Sequence, residues 1–286
     1  MLASAAMKPL LALEDIRMVY QARKGLFGFV PVTALDGVSL SLDEGETVAI
    51  VGESGSGKTT LARVSLRLLR PTSGQVLFDG TDIARLPEGR LKWFRQQAQG
   101  IFQDPFSSLD PFMRVFDTVE EPLIIHRIGD REKRRELVYQ ALEEVRLIPV
   151  KEFSLKFPHQ LSGGQRQRVA IARCLVLRSR LIVADEPVSL LDASSRAELL
   201  SLFRELQHRH KLTFIYITHD LSTARQFAPR IAIMYRGKIV ETGPTSQVIT
   251  QPQHPYTRAL LEAVPQPDPS NRFRERRVGF QETTRE

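Results

Sequence analysis

The stretch Gly52-Glu53-Ser54-Gly55-Ser56-Gly57-Lys58-Thr59 constrains this chain more than any other. The apolar run Thr47-Val48-Ala49-Ile50-Val51 precedes it and a helix-compatible segment follows. That order is strand, glycine loop, helix. Glycines let the backbone wrap so closely that successive N–H groups, backed by the positive end of the helix, point at a phosphate chain. On this reading Lys58 reaches the β- and γ-phosphates and Thr59 offers its hydroxyl to Mg²⁺, with Thr60 beside it in the same binding segment. The bland alternative is a flexible surface loop.

A phosphate loop of this kind needs an α/β sheet to stand in. Apolar, β-rich runs recur at Val38 to Leu42, Thr47 to Val51, Gln75 to Phe78, Gly100 to Phe102, Leu181 to Ala184, Thr213 to Thr218 and Ile231 to Tyr235. Helical patterns at Glu132 to Leu147, Gly163 to Leu177 and Ser194 to Arg209 lie between them, so an α/β fold with a sheet buried on both faces is expected. From about Asp104 to Leu177 the strand signal disappears, which reads as a helical insertion into the sheet domain. Arg230 to Gly243 reads as two short strands with a turn at Arg236-Gly237-Lys238. Pro252, Pro255, Pro265, Pro267 and Pro269 then mark a different C-terminal segment, with a short helix expected at Thr257 to Val264.

Two carboxylates follow a buried strand at Asp185-Glu186, where open α/β sheets hold their ligands. Asp185 suits a Mg²⁺ shell. Glu186 suits polarising the water that attacks a γ-phosphate, because in phosphoryl transfer the protein mainly positions groups and balances charge. A helix-capping acid pair ahead of Pro187 is the alternative. The next strand delivers His219 to the same edge, where it can hydrogen-bond a γ-phosphate or be an ordinary structural histidine. Leu161-Ser162-Gly163-Gly164-Gln165 opens a long helix with small residues, which leaves backbone N–H groups available to a second set of phosphate oxygens.

Together with the phosphate loop and the Asp185-Glu186 strand, that pentapeptide resembles the signature of the ATP-binding cassette family. Members dimerise and sandwich ATP between one chain's phosphate loop and the partner's signature. The resemblance runs from about Leu11 to Val264 and implies a P-loop NTPase sheet core with an antiparallel β part and an inserted helical subdomain. It also implies that Tyr20 stacks on adenine and that Gln103 contacts Mg²⁺ or water and couples the site to a membrane partner. The alternatives are an ordinary strand aromatic and a loop amide. Ser162, Gly163, Gly164 and Gln165 are implied to bind nucleotide across the dimer. Ser189-Leu190-Leu191-Asp192 is similar to the loop that crosses that interface, with Leu190 where a small residue is usual.

Asp104-Pro105-Phe106-Ser107-Ser108-Leu109-Asp110-Pro111 and His254-Pro255-Tyr256-Thr257-Arg258-Ala259-Leu260-Leu261 resemble the oligopeptide, dipeptide and nickel importer ATPases. For the second, the local reading is a proline-started surface helix. Arg23-Lys24-Gly25-Leu26-Phe27-Gly28-Phe29 resembles the second of the paired ATPase subunits of such importers. Residues 1–250 are read as the ATP-binding domain, with the helical subdomain at about 104–177, and 251–286 as an importer-type extension. Many relatives carry cysteines beyond the proline-rich segment that are thought to hold an iron–sulfur cluster; none follows here, so no cluster is expected.

Composition narrows the readings further. The chain has 286 residues with a net charge of +7, and no apolar run reaches the ~18 to 20 residues a spanning helix needs. Much of the positive charge lies at Arg131 to Arg135 and at Arg272-Phe273-Arg274-Glu275-Arg276-Arg277, without the interleaved aromatics of a single-strand binder, so no nucleic acid is expected as a partner. Cys174 cannot form an internal disulfide and reads as core packing. The expected protein is a cytosolic ATPase, peripheral on the inner face of the cell membrane, with ATP and Mg²⁺ as cofactors. Its expected partners are two transmembrane permease subunits, a second ATPase subunit, with a heterodimer favoured, and an extracytoplasmic solute-binding protein reached through the permease. A soluble cassette ATPase acting on DNA or ribosomes and a catalytically dead cassette are the competing readings.

Overall fold

The computed structural model describes residues 8–24, 28–104 and 108–263. The middle of the Arg23–Phe29 feature, Pro105 to Ser107, Pro265, Pro267, Pro269 and the basic tail from Arg272 lie outside them.

Two sheets organise the chain. In the smaller, antiparallel one the strands run in the order β2-β1-β4-β5, with β1 Leu11–Lys24, β2 Gly28–Leu42, β4 Ser73–Phe78 and β5 Thr81–Asp82. β1 was not among the strands expected from pattern. Its pairing with β2 shifts register between Leu13 and Ile16 and again between Ile16 and Val19, and Asp15 adopts φ 46° there. Such irregularities break the period-2 alternation by which a strand is read.

The larger sheet has the order β10-β9-β3-β8-β7-β6, formed by β3 Thr47–Val51, β6 Ala98–Ile101, β7 Leu181–Asp185, β8 Thr213–Thr218, β9 Arg230–Tyr235 and β10 Lys238–Pro244. All its pairs are parallel except β9 with β10. Its two faces bury different side chains, as strand geometry requires. Val48, Ile50, Val183 and Ile215 share a core with Leu11, Leu13 and Ile16 of the small sheet and with Leu61, Ala62 and Val64 of helix α1, Lys58–Ser65, which is thereby packed between the sheets. Ile182, Ala184, Phe214 and Tyr216 face the other way, into a second core.

Helices build that second core. α2, Lys92–Gln97, leads into β6; after β6 come α3 Val115–His126, α4 Arg131–Glu144, α5 Val150–Leu155 and α6 Gly163–Leu175, with no strand among the described residues from Val115 to Leu175. Val119, Leu123, Val138, Leu142 and Ile171 join one apolar cluster with Phe203 and Leu206 of α7, Ala193–His210. Among the described residues the remaining α-helices are α8 Leu221–Phe227, α9 Thr245–Thr250 and α10 Pro255–Glu262.

Cys174 is buried on α6, its thiol donating to the Gly100 carbonyl at 3.7 Å, and burial pushes its pKa up to about 12. Since the thiolate is the reactive form, maleimide labelling at pH 8 is expected to run at least ~100-fold slower on native protein than in denaturant. Equal rates would place the thiol on the surface.

Candidate functional site

Strand register brings the predicted residues to one sheet edge. Val51 lies opposite Thr218, Asp185 opposite Ile217, and Ile101 opposite Ala184. The residues that follow these strand ends, Gly52, His219, Glu186 and Gln103, therefore emerge together at the carboxyl edge, where open sheets bind ligands.

The phosphate loop has little freedom in shape. A Cβ on Gly52 would stand 2.2 Å from the Met234 carbonyl oxygen, and Gly57, which begins α1, has φ 103° with the Ala34 carbonyl 2.5 Å from its would-be Cβ. Only glycine fits either position. Lys58 turns back into the loop: its Nζ donates to the carbonyls of Gly52 at 2.8 Å and Glu53 at 2.7 Å, and to Ser56 Oγ at 3.4 Å. Burial pulls the pKa of this ammonium below its ordinary value, and the carboxylates of Glu186, Asp185 and Glu53 oppose that pull.

A cleft of about 600 Å³ opens in front of the loop, lined by Ser54, Gly55, Gly57, Lys58, Thr59 and Thr60, together with Gln103, Glu186, His219 and Ala34. Ala34 was not anticipated; it arrives from β2 across a sheet boundary that no local motif marks. Gly52, Glu53 and Ser56 are not among the cleft's lining residues and meet it through their bonds to Lys58.

Asp185 is 5% exposed at the end of β7, and burial raises the pKa of its carboxyl, opposed by a hydrogen bond with the Thr59 hydroxyl. Its Oδ1 is buried and without a hydrogen-bond partner. An oxygen left in that state is costly. A carboxylate, a hydroxyl and the neighbouring Gln103 amide are hard oxygen donors that fit Mg²⁺, with substrate phosphates completing the shell. Among the described residues no group of three or more His, Cys, Asp or Glu forms an all-protein metal cage.

Glu186 adopts φ 49°, a conformation that costs a non-glycine residue about 1–3 kcal/mol and tends to persist at functional sites. Its N–H donates to the Ile217 carbonyl at 2.9 Å, and its Oε1 lies 3.1 Å from His219 Nδ1. The carboxylate is mostly shielded while the His219 side chain is 60% exposed. The pair presents an oriented base flanked by a ring free to meet an incoming anion.

Other predicted residues are not among those lining the cleft. Tyr20 is half-buried, with its hydroxyl 3.5 Å from Thr60 Oγ1. Ser162, Gly164 and Gln165 line a separate cavity with Arg146, Arg168 and Ser195. Here the expectation of uncovered amides needs refinement. Ser162 and Gln165 form a reciprocal capping box: Ser162 Oγ accepts from the Gln165 N–H at 3.2 Å and Gln165 Oε1 accepts from the Ser162 N–H at 3.0 Å. Within one chain, the Gln165 side chain is therefore committed to shaping the helix start. Leu190 is 61% exposed, and Asp192 caps α7 by accepting from the Ser195 N–H at 2.9 Å.

Tyr256, read from the sequence as part of a local surface helix, is instead fully buried, and its hydroxyl accepts from the Glu53 N–H of the phosphate loop at 3.1 Å. The contact spans 203 positions, beyond any motif.

A glycine loop opening onto strand-end acids at the edge of a parallel sheet places the protein among the P-loop nucleoside triphosphatases. Comparison with known proteins supplies the family. The "ABC transporter" family model matches residues 35–189, and the model for the "Oligopeptide/dipeptide transporter, C-terminal region" matches residues 240–286. The chain belongs to the ABC transporter family and is one of its ATPase cassettes.

Its relatives include a putative peptide import ATP-binding protein of Brucella ovis, 45% identical over 92% of this chain and 81% of the relative. The oligopeptide transport ATP-binding protein AppF of Bacillus subtilis is 45% identical over 92% of this chain and 80% of its own. The glutathione import ATP-binding protein GsiA of Salmonella choleraesuis is 44% identical over 95% of this chain and 43% of its own length. Among solved structures, the dimeric ATP-binding cassette MJ0796, in a post-hydrolysis state bound to ADP and Pi, is 32% identical and superposes with a TM-score of 0.72 over 82% of this chain and 98% of that one. The cbiO1 protein of Clostridium perfringens, part of the ABC transporter complex cbiONQ, is 27% identical with a TM-score of 0.73 over 85% of this chain and 92% of its own.

Proposed function

We propose that the protein is the ATP-hydrolysing subunit of an importer, powering uptake of peptides or related solutes through two separate transmembrane permease subunits. The meeting of Lys58, Gln103, Glu186 and His219 in one cleft carries this reading. The names of the relatives support the class of solute.

In this reading the loop amides from Ser54 to Thr60 cradle the triphosphate while Gly52 and Glu53 hold the entry of the loop, and Lys58 exchanges its carbonyl partners for β- and γ-phosphate oxygens. Tyr20 stacks on the adenine. Glu186, oriented by His219, accepts a proton from the attacking water as its oxygen bonds to the γ-phosphorus and ADP leaves. His219 donates a hydrogen bond to the γ-phosphate. Thr59, Asp185 and Gln103 hold Mg²⁺, which when bound offsets negative charge on the phosphates.

Ser162, Gly163 and Gly164, presented by a helix start that Gln165 shapes, act on the triphosphate of a facing cassette, so that ATP closes the pair and its cleavage releases them. The known dimeric cassette supports such pairing. A different ATPase chain is the favoured partner, and an extracytoplasmic solute-binding protein delivers solute through the permease. We divide the chain into an ATP-binding domain of residues 1–250, with its helical subdomain at 104–177, and an extension at 251–286.

No described helix is long and apolar enough to cross a membrane. In the importer reading the chain's place is peripheral, on the inner face of the cell membrane beside its permease. A groove of about 440 Å³ between α3, α6 and β6, with Leu68 and Ile125 about half exposed on its rim, is the surface proposed to receive the permease. Affinity purification of the full chain from its native membranes is expected to recover integral permease subunits. A chain found only in the soluble fraction, with none attached, contradicts the transporter reading.

Ser162→Arg is expected to lower hydrolysis by about 10²-fold, on the scale of losing a transition-state donor, while the isolated chain binds nucleotide normally. Titration beside phosphate release checks this. A fall in the isolated chain's affinity as large as the fall in turnover contradicts action across a dimer.

A further inference from the structure

We propose that Tyr256 is a positioning residue for the phosphate loop, so that the C-terminal segment sets how tightly the triphosphate is held. The inference rests on the reading of the Lys58 cleft as the ATP site and adds to it a control from outside the cassette's own motifs.

The geometry begins with the anchorage of α10. Glu241 on β10 accepts from the backbone N–H groups of Gln253 at 2.9 Å and His254 at 3.0 Å. His254 then caps the helix, its Nδ1 accepting from the Tyr256 N–H at 3.1 Å, and Arg258 Nε donates back to the Pro252 carbonyl at 3.1 Å. These bonds hold the start of α10 against the sheet.

Tyr256 is thereby driven inward. Its ring lies 4.2 Å from that of Tyr235, centroid to centroid, and shares a core with Ala49 and Val51 of β3, the strand that launches the phosphate loop. The hydroxyl at the far end of this ring meets the Glu53 N–H at 3.1 Å. Buried rings of this kind usually find a polar partner for their hydroxyl, and here the partner is a loop amide.

Both sides of the Glu53 residue are tied. The Tyr256 hydroxyl takes its N–H, and Lys58 Nζ takes its carbonyl at 2.7 Å. When Lys58 leaves that carbonyl for phosphate oxygens, the Ser56 N–H still donates to it at 3.2 Å, and the N–H bond to Tyr256 is the side-chain tie that remains on Glu53. Glu53 sits at the entry of the loop, so a shift there moves the amides that follow. The hydroxyl therefore acts through the loop and does not itself touch substrate.

Tyr256→Phe tests the hydroxyl alone, because the ring and its packing remain. In the full-length chain it is expected to weaken ATP binding roughly 3- to 10-fold, the range of one neutral hydrogen bond, with kcat nearly unchanged and KM raised by the same factor. Leu260→Ala is the companion variant: it removes apolar contact from the same core without touching the loop, so it should lower Tm and leave ATP affinity alone. If Tyr256→Phe binds ATP as wild type does, or if Leu260→Ala weakens ATP as much as Tyr256→Phe, the positioning role is wrong. Failure of the wild-type chain to bind ATP would instead overturn the reading of the Lys58 cleft. The two failures are thus separable.

Discussion

Glu186→Gln is expected to lower steady-state phosphate release by about 10²- to 10⁴-fold, the span of a lost general base, while ATP is still bound. The substitution keeps the shape of the side chain and a hydrogen-bonding atom toward His219 Nδ1, now 3.1 Å from Glu186 Oε1. It keeps the φ 49° backbone, since Gln carries the same cost there. What disappears is the ability to take a proton from water. One negative charge also leaves the neighbourhood of Lys58, where Glu186 opposes the lowering of the ammonium's pKa by burial. The lysine retains Asp185 and Glu53 as acidic neighbours. Equal turnover in wild type and variant would remove Glu186 from the reaction.

Lys58→Ala is expected to act earlier, at binding. The ammonium is buried and grips the carbonyls of Gly52 and Glu53, so the loop around it is already shaped for a cation. Truncating one partner of a buried charge pair costs about 2–5 kcal/mol, which is roughly 30- to several thousand-fold in affinity. Both ATP binding and hydrolysis should fall by that order. Lys58→Met, which keeps most of the apolar stem, should lose affinity similarly, and so separates the charge from the packing. Near-normal turnover in either variant contradicts the assignment.

How much of this was legible in the sequence depended on distance along the chain. The phosphate loop, the Asp185-Glu186 pair and His219 were readable because each follows a short, fully buried apolar strand, and parallel register then brings such strand ends together. The β9–β10 turn and the helix around Leu260 were readable from glycine and proline signals. β1 was obscured by the irregular pairing around Asp15. The side-chain role of Gln165 was also hidden: a small-residue helix start predicts open amides, but a glutamine at the third helical position closes the capping box. Tyr256 was out of reach for a different reason. Its local signals describe a surface helix correctly begun by His254-Pro255, and only the packing of that helix on β3 and β9 turns the ring toward Glu53.

No single cleft contains all the predicted groups, as the proposed action across a dimer requires. Lys58, Glu186 and His219 face one cavity, while Ser162 and Gly164 line another. On the proposed pairing of cassettes, a monomer offers each set half of a site.

The most direct test is therefore the structure of the Glu186→Gln variant, assembled with its partner cassette and permease and loaded with ATP. Ser162, Gly163 and Gly164 are expected to lie within hydrogen-bonding distance of a γ-phosphate gripped by the facing cassette's phosphate loop. A well-ordered ATP-bound assembly in which those residues approach no triphosphate would contradict it.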